Sequence, residues 1–265
     1  MQTIKRKYGW KRDPKSNLYR LYRPMKITTP FPAAFDLPAA VPAQAAAFGL
    51  MDQGNLGSCT GFGCTRVAWW GLLAVGPHPR PSPLFQYFNE RYLDDDIPDD
   101  GGSTITTGLQ ALKKFGICPE TDWPYDVGAF AQRPPQKCFD DALEQQAIRE
   151  ERIEGCDFNT LLMDALFNQR IPVVFGTDLF SQFESTQAAE TGVIIEPRPG
   201  ATPIGGHCMV IRGWDLSSRC GRPAWKIMNS WGAWGDGGAA WIPFDYITRY
   251  ASDFWAIPQM EGGIL

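Results

Sequence analysis

This chain has only two histidines, His78 and His207, and their settings differ. His78 sits in the loop Pro77-His78-Pro79, whereas His207 opens the apolar run Gly206-His207-Cys208-Met209-Val210. His207 lies 148 residues beyond Cys59 and 22 before Asn229, and Gln53 lies six before Cys59. A thiol nucleophile needs a base within reach, an amide that orients the base, and donors for the oxyanion formed on attack. Gln53, Cys59, His207 and Asn229 supply those four groups, and any fold that uses them together must bring the first quarter of the chain against the last. Each residue has a blander reading. Cys59 alone is a buried thiol, His207 a satisfied core histidine, Asn229 a turn residue, and Gln53 alone means little. The flanks Asp52-Gln53-Gly54-Asn55-Leu56-Gly57-Ser58-Cys59 and Asn229-Ser230-Trp231-Gly232 favour the chemical reading for all four.

Hydrophobic periodicity places these groups on elements. Phe62, Val67, Trp69, Trp70 and Leu73 predict a buried helix from Cys59 to about Leu73, with Ser58 as its N-cap. A cysteine there sits at the positive end of the helix dipole, which favours thiolate. Further helices are expected over Pro83–Leu93, Thr107–Lys114, roughly Asp140–Arg152, and Thr160–Asn168. Short apolar runs then replace the helical period: 173–175, 209–211, 225–228, 239–242 and 254–257 read as strands. Residues 31–50, rich in Pro and Ala, read as an extended linker. Helices followed by strands make an α+β chain with the nucleophile on one lobe, His207 and Asn229 on the other, and a cleft between.

With these motifs the chain resembles the papain family of cysteine peptidases from about Asp36 to Ile257, and within it the bacterial xylellain-like members. The family's local signature, Cys-Gly-Ser/Ala-Cys-Trp/Tyr, appears as Leu56-Gly57-Ser58-Cys59-Thr60, with its Gly-Ser-Cys core intact. Asp100-Gly101-Gly102 is similar to the segment that lines the family's substrate cleft. The resemblance implies a papain-like two-lobe fold, helical N-terminal lobe (about 45–155) and β-barrel-like C-terminal lobe (about 156–257). It also implies peptide hydrolysis with Cys59 as nucleophile, His207 as base, Asn229 as orienting amide and Gln53 as oxyanion donor. Gly101, Gly102 and Trp231 would border the substrate, Trp231 shielding the Asn–His hydrogen bond. No metal or organic cofactor is implied. Departures are Thr60 in place of an aromatic, Gly206 in place of Asp or Asn, and a span from Asn229 to Trp234 one residue shorter than in papain.

Composition agrees: 44% apolar and 20% charged residues over 265 positions suit a globular chain with a substantial core. No uncharged apolar stretch reaches about 18 residues, so no membrane span is expected. The basic start has no signal-peptide core, and in secreted relatives a cysteine three before the nucleophile pairs with one just before the Gly-Gly segment. Here those places hold Leu56 and Asp99, which points to a reducing, cytoplasmic setting in which the six other cysteines are buried, inert thiols.

Charge divides the chain. Residues 1–30 carry nine Lys/Arg (Lys5, Arg6, Lys7, Lys11, Arg12, Lys15, Arg20, Arg23, Lys26) against Asp13 alone, a net of +8. The other 235 residues carry 16 basic and 28 acidic side chains, a net of −12. Residues 1–35 therefore read as a basic extension ahead of a peptidase domain at 36–265. A solvated tail and binding to nucleic acid or anionic lipid are the alternatives; because Asp94, Asp95, Asp96, Asp99 and Asp100 adjoin Gly101-Gly102, the extension is expected to dock on its own cleft as a covering or inhibitory arm, through charge and through Tyr8, Trp10, Tyr19 and Tyr22. An acidic body without a recognised motif argues against nucleic acid as partner. Three rivals remain: a Gly-x-Cys-x-Gly nucleophile elbow, which lacks its preceding strand; a non-catalytic binding protein on the same scaffold, disfavoured by four intact polar residues; and acyl transfer to an amine, which the residues do not separate from hydrolysis.

Overall fold

A computed structural model describes residues 6–16, 18–25 and 30–261. Lys5 and Lys26 of the basic extension lie outside the described residues. Helices occupy much of the first half. The helix Cys59–Leu73 is buried at every position except Leu73, its polar Thr60, Thr65 and Arg66 included. On one side it meets the helix Pro83–Leu93, and on the other it lies on the sheet. Pro83–Leu93 begins with Pro at its first turn and Ser82 Oγ accepting the Phe85 N–H at 3.1 Å. Ile105–Phe115 begins on Thr104, whose Oγ1 accepts the Thr107 N–H at 3.0 Å.

The described residues form nine strands: β1 Trp10–Lys11, β2 Ala34–Asp36, β3 Ser103–Thr104, β4 Ala147–Arg152, β5 Val173–Leu179, β6 Gly205–Asp215, β7 Ala224–Met228, β8 Ala239–Pro243 and β9 Ala251–Met260. β1 and β3 form a small parallel pair. The others form one antiparallel sheet in the order β4-β9-β5-β6-β7-β8, with β2 added along the end of β6. The expected barrel does not form: the end strands β4 and β8 do not pair with each other, and the sheet stays open. β5 is buried at every position but Asp178, because the helix Cys59–Leu73 covers it. β6 and the turn after β7 carry His207 and Asn229 to the sheet edge that faces Cys59.

Three local expectations fail for physical reasons. The helix over Asp140–Arg152 stops far sooner, at Gln136–Ala142, and 147–152 is β4. The stretch Ala147–Arg152 carries good helix formers, but β9 offers it a ladder that also buries Ala147 and Glu151, and tertiary pairing overrides propensity. The linker at 31–50 is part of the body: β2 pairs with β6, and both Asp36 carboxylate oxygens accept from the Arg212 guanidinium at 2.8 Å. Ser58 precedes the nucleophile helix without capping it; its hydroxyl meets Tyr125 Oη at 2.7 Å.

Candidate active site

Cys59 opens its helix with no exposed surface. Backbone N–H groups of Cys208 and Gly9 lie against its sulfur and favour the thiolate, yet burial dominates and pushes the thiol up to about 11. His207, on β6, is equally buried. Its Nε2 stands 2.8 Å from Asn229 Oδ1, so Nε2 carries the proton and donates. Asn229 Oδ1 also accepts the Ser230 N–H at 2.8 Å, which fixes the amide's orientation. Nδ1 of His207 is then the lone-pair nitrogen, buried and without a hydrogen-bond partner among the described residues. Burial, reinforced by the Arg6 cation and opposed by Asn229, brings the imidazole down to about 4. Trp231 lies over the pair, its ring centroid 4.9 Å from that of His207, and Trp234 meets Trp231 edge-on at 5.2 Å.

Gln53 is locked by a residue to which sequence reasoning gave no role. Ser230 Oγ donates to Gln53 Oε1 at 2.6 Å, and the Gln53 N–H donates to the Ser230 carbonyl at 2.9 Å. Those bonds turn Nε2 toward the Leu56 carbonyl, at 2.8 Å, and the Lys7 carbonyl, at 3.5 Å. Tyr125, also missed, donates to the Gln53 carbonyl at 2.9 Å. Ser230 had a signal in its place between Asn229 and Trp231; Tyr125 had none.

The Gly-Gly segment is held to the nucleophile loop by Asp100. The Gly57 N–H donates to its two oxygens at 2.9 and 3.1 Å, and Tyr87 Oη donates to Oδ1 at 2.7 Å. Gly102 has φ +72, and a Cβ there would fall 1.8 Å from the Gly9 carbonyl oxygen, so only glycine fits.

Residues of the basic extension stand among these groups. The Ser103 N–H donates to the Gly9 carbonyl at 2.8 Å. Tyr8 stands edge-on to His207, with ring centroids 6.5 Å apart, and its hydroxyl donates to Glu184. Arg6 lies over Trp231 at 4.6 Å. Lys7 pairs with Asp100 at 2.8 Å, Lys11 with Asp96 at 3.8 Å and Arg12 with Asp178 at 2.8 Å. Of the other expected acids, Asp94 instead accepts from Ser103 Oγ and Thr107 Oγ1. The extension's one acid, Asp13, is the group that net charge hides. Its fully buried carboxylate accepts from Arg152 at 3.1 Å, Trp255 Nε1 at 2.7 Å and the Thr106 N–H at 2.9 Å.

Thr60, which takes the place of an aromatic, has a partner of its own. Its hydroxyl donates to the buried Glu90 carboxyl at 2.6 Å, and Gln86 Nε2 donates to the same group at 3.0 Å. Burial raises Glu90 from 4.5 to about 8. As pH rises between those values, the unfolded chain loses this proton while the folded one keeps it, so stability falls across that window. Glu90→Gln is expected to flatten this fall, measured as the difference in urea midpoint between pH 5 and pH 8.5; an unchanged difference would assign the pH dependence to other groups.

The cysteines are all free: Cys64, Cys118, Cys138 and Cys208 are buried as expected, whereas Cys156 is exposed and Cys220 half-buried. No helix of the described residues is long and apolar enough to cross a membrane.

Comparison with known proteins agrees with this architecture. Residues 95–247, which include His207 and Asn229, match the family model described as papain family cysteine protease. The chain belongs to the papain family of cysteine proteases. It is 32% identical over 229 residues to an uncharacterized peptidase C1-like protein of Acanthamoeba polyphaga mimivirus, covering 81% of this chain and 71% of that one. Xylellain, a cysteine protease from Xylella fastidiosa, is similar at 29% identity and a TM-score of 0.84, over 98% of both chains. Procathepsin B S9 from Trypanosoma congolense shares the fold, with a TM-score of 0.71 at 16% identity, over 95% of this chain and 86% of that one. The protein is thus a papain-like cysteine peptidase, a hydrolase of peptide bonds.

Proposed function

We propose that Cys59, His207, Asn229 and Gln53 carry out the hydrolysis, and that residues 6–13 of a basic extension (residues 1–35) obstruct the cleft of the domain at 36–265. The observation that carries the chemical half is the 2.8 Å contact between His207 Nε2 and Asn229 Oδ1, which leaves Nδ1 as the acceptor for a thiol proton. The sulfur then attacks the scissile carbonyl carbon, and the oxyanion is held by Gln53 Nε2 and the Cys59 N–H. The C–N bond breaks as His207 gives its proton to the leaving amine. Water, deprotonated by His207, cleaves the thioester and restores Cys59. Gly101, Gly102 and Trp231 border the bound peptide.

The inhibitory half rests on what the extension touches. The Lys7 carbonyl lies toward Gln53 Nε2, the Gly9 N–H faces the Cys59 sulfur, and Tyr8 stands beside His207. Burial raises the thiol to about 11 and lowers the imidazole to about 4, so this arrangement disfavours the thiolate–imidazolium pair. Seven free thiols are in keeping with a reducing, cytoplasmic setting. An epoxide-type thiol-protease inhibitor, followed by peptide mapping, tests the assignment: modification is expected at Cys59, and labelling of another cysteine with Cys59 untouched would sink it.

A further inference from the structure

Arg66 lies about two turns beyond the nucleophile on the helix Cys59–Leu73 and is only 2% exposed. Its Nη1 donates to the Ala47 carbonyl and, at 3.1 Å, to the Gly49 carbonyl. Its Nη2 is buried and has no hydrogen-bond partner among the described residues. The charges that bear on this guanidinium are themselves cations, Arg212 and Arg80. Asp36, the carboxylate beside Arg212, is already shared between Arg212 at 2.8 Å and Lys226 at 3.1 Å. Burial pulls Arg66 down to about 9, which still leaves it charged at neutral pH. A buried cation without a counter-charge is costly, and an anion from solution is the group that relieves it.

Asn229 brings a second donor to the same place. Its Oδ1 is occupied by His207 Nε2 and the Ser230 N–H, and its Nδ2 is buried without a partner among the described residues. Arg66 and Asn229 line one small cavity, of about 10 Å³, where the helix meets β6 and the end of β7. Phe62, Met209, Val210 and Met228 make the rest of its wall largely apolar. We propose that this cavity is a binding site for a single monovalent anion, chloride, held by the Arg66 guanidinium and the Asn229 side-chain N–H. The volume is that of one water-sized body, which excludes sulfate, phosphate and carboxylates, and the flexible thioethers of Met209 and Met228 adapt to a slightly larger sphere. A water there would accept from both donors but leave the charge of Arg66 unmatched. An anion at Nδ2 also grips the amide on the side away from His207, and so holds Oδ1 toward the imidazole. The site is apart from the reacting atoms, and its occupancy is independent of the peptidase reading of Cys59.

The test measures binding to the full natural chain. Its midpoint of thermal unfolding is followed from about 1 to about 100 mM sodium chloride, with sodium gluconate holding the ionic strength constant; a rise of at least about 3 °C is expected, since a ligand that binds only the folded state stabilises it. Gluconate is too large for the cavity and controls for screening. Arg66→Met, which removes the cation and keeps an unbranched side chain in its place, is expected to lose that rise. Crystals of the natural chain soaked in sodium bromide give a readout that needs no variant, an anomalous bromine peak beside Arg66 Nη2 and Asn229 Nδ2. A midpoint that ignores chloride, a response unchanged in Arg66→Met, or bromide-soaked crystals with water alone at the site would each overturn the inference.

Discussion

Cys59→Ala and His207→Ala are each expected to remove peptide hydrolysis by several orders of magnitude while leaving the fold intact. Members of such a constellation act as one unit, so the loss of either costs nearly as much as the loss of both. In the proposed mechanism the sulfur is the bond-forming atom and Nδ1 of His207 takes its proton, since Nε2 is committed to Asn229. Gln53→Ala is milder, about 10²–10³-fold, because it removes one oxyanion donor and leaves the Cys59 N–H. It also leaves the Ser230 hydroxyl without its acceptor, a loss of about 1 kcal/mol in stability. Turnover by Cys59→Ala near the natural rate, with circular dichroism unchanged, would end the assignment of the nucleophile.

Gly9→Val is expected to raise the turnover of the full chain by at least about tenfold, because a Cβ at residue 9 would fall 1.7 Å from the Gly57 carbonyl oxygen and unseat the extension by a clash rather than by loss of an attraction. Residue 9 has no side chain because the backbones of Gly9, Gly57 and Gly102 meet there, and a Cβ would also fall 2.9 Å from Gly57 Cα. Removing residues 1–30 altogether is a poorer experiment. It would strip Asp13 from Arg152 and Tyr22 from Asp164, whose carboxylate now accepts the Tyr22 hydroxyl at 2.5 Å, and so remove a partner from each of two groups in the body of the protein. The comparison is a progress curve of peptide hydrolysis for the two full chains at equal concentration. Identical rates would remove the obstructive role from residues 6–13.

Much of the helical half was legible because its signals are local. Pro83 and Ser82 mark one helix start, and the unbroken apolar surface of Cys59–Leu73 announces a helix buried on all sides. β5 to β9 show as short apolar runs for the same reason, although the bounds of β5, β6 and β9 run several residues further, into polar positions such as Asp178, Arg212 and Ser252. What escaped was decided by distant partners. Ala147–Arg152 has the composition of a helix, and only the free edge of β9 makes it a strand. At the site, residue type and order pointed to Gln53, Cys59, His207 and Asn229, but nothing local shows that Ser230 clamps Gln53 or that Tyr125 supports it. A sum of charges weighs a solvated lysine and a buried aspartate alike, so it draws attention to Lys7, 2.8 Å from Asp100, and conceals Asp13.

The burial of Asp13 bears on how tightly the rest of the extension must hold. Arg152 and Trp255, which grip this carboxylate, belong to β4 and β9, so the grip is separate from the contacts at Cys59 and His207. Beyond it, Lys15, Ser16 and Leu18 are exposed before the chain returns to pair Leu21 with Arg152. A segment tied at one end to its own receptor is present at an effective concentration of about millimolar, whatever the dilution of the protein. In the proposed obstructed arrangement, contacts as modest as a half-exposed Lys7 and one tyrosine edge then suffice to keep it seated. A single cut in the exposed stretch would turn the same residues into a separate ligand, whose occupancy falls on dilution and rises when the peptide is added back.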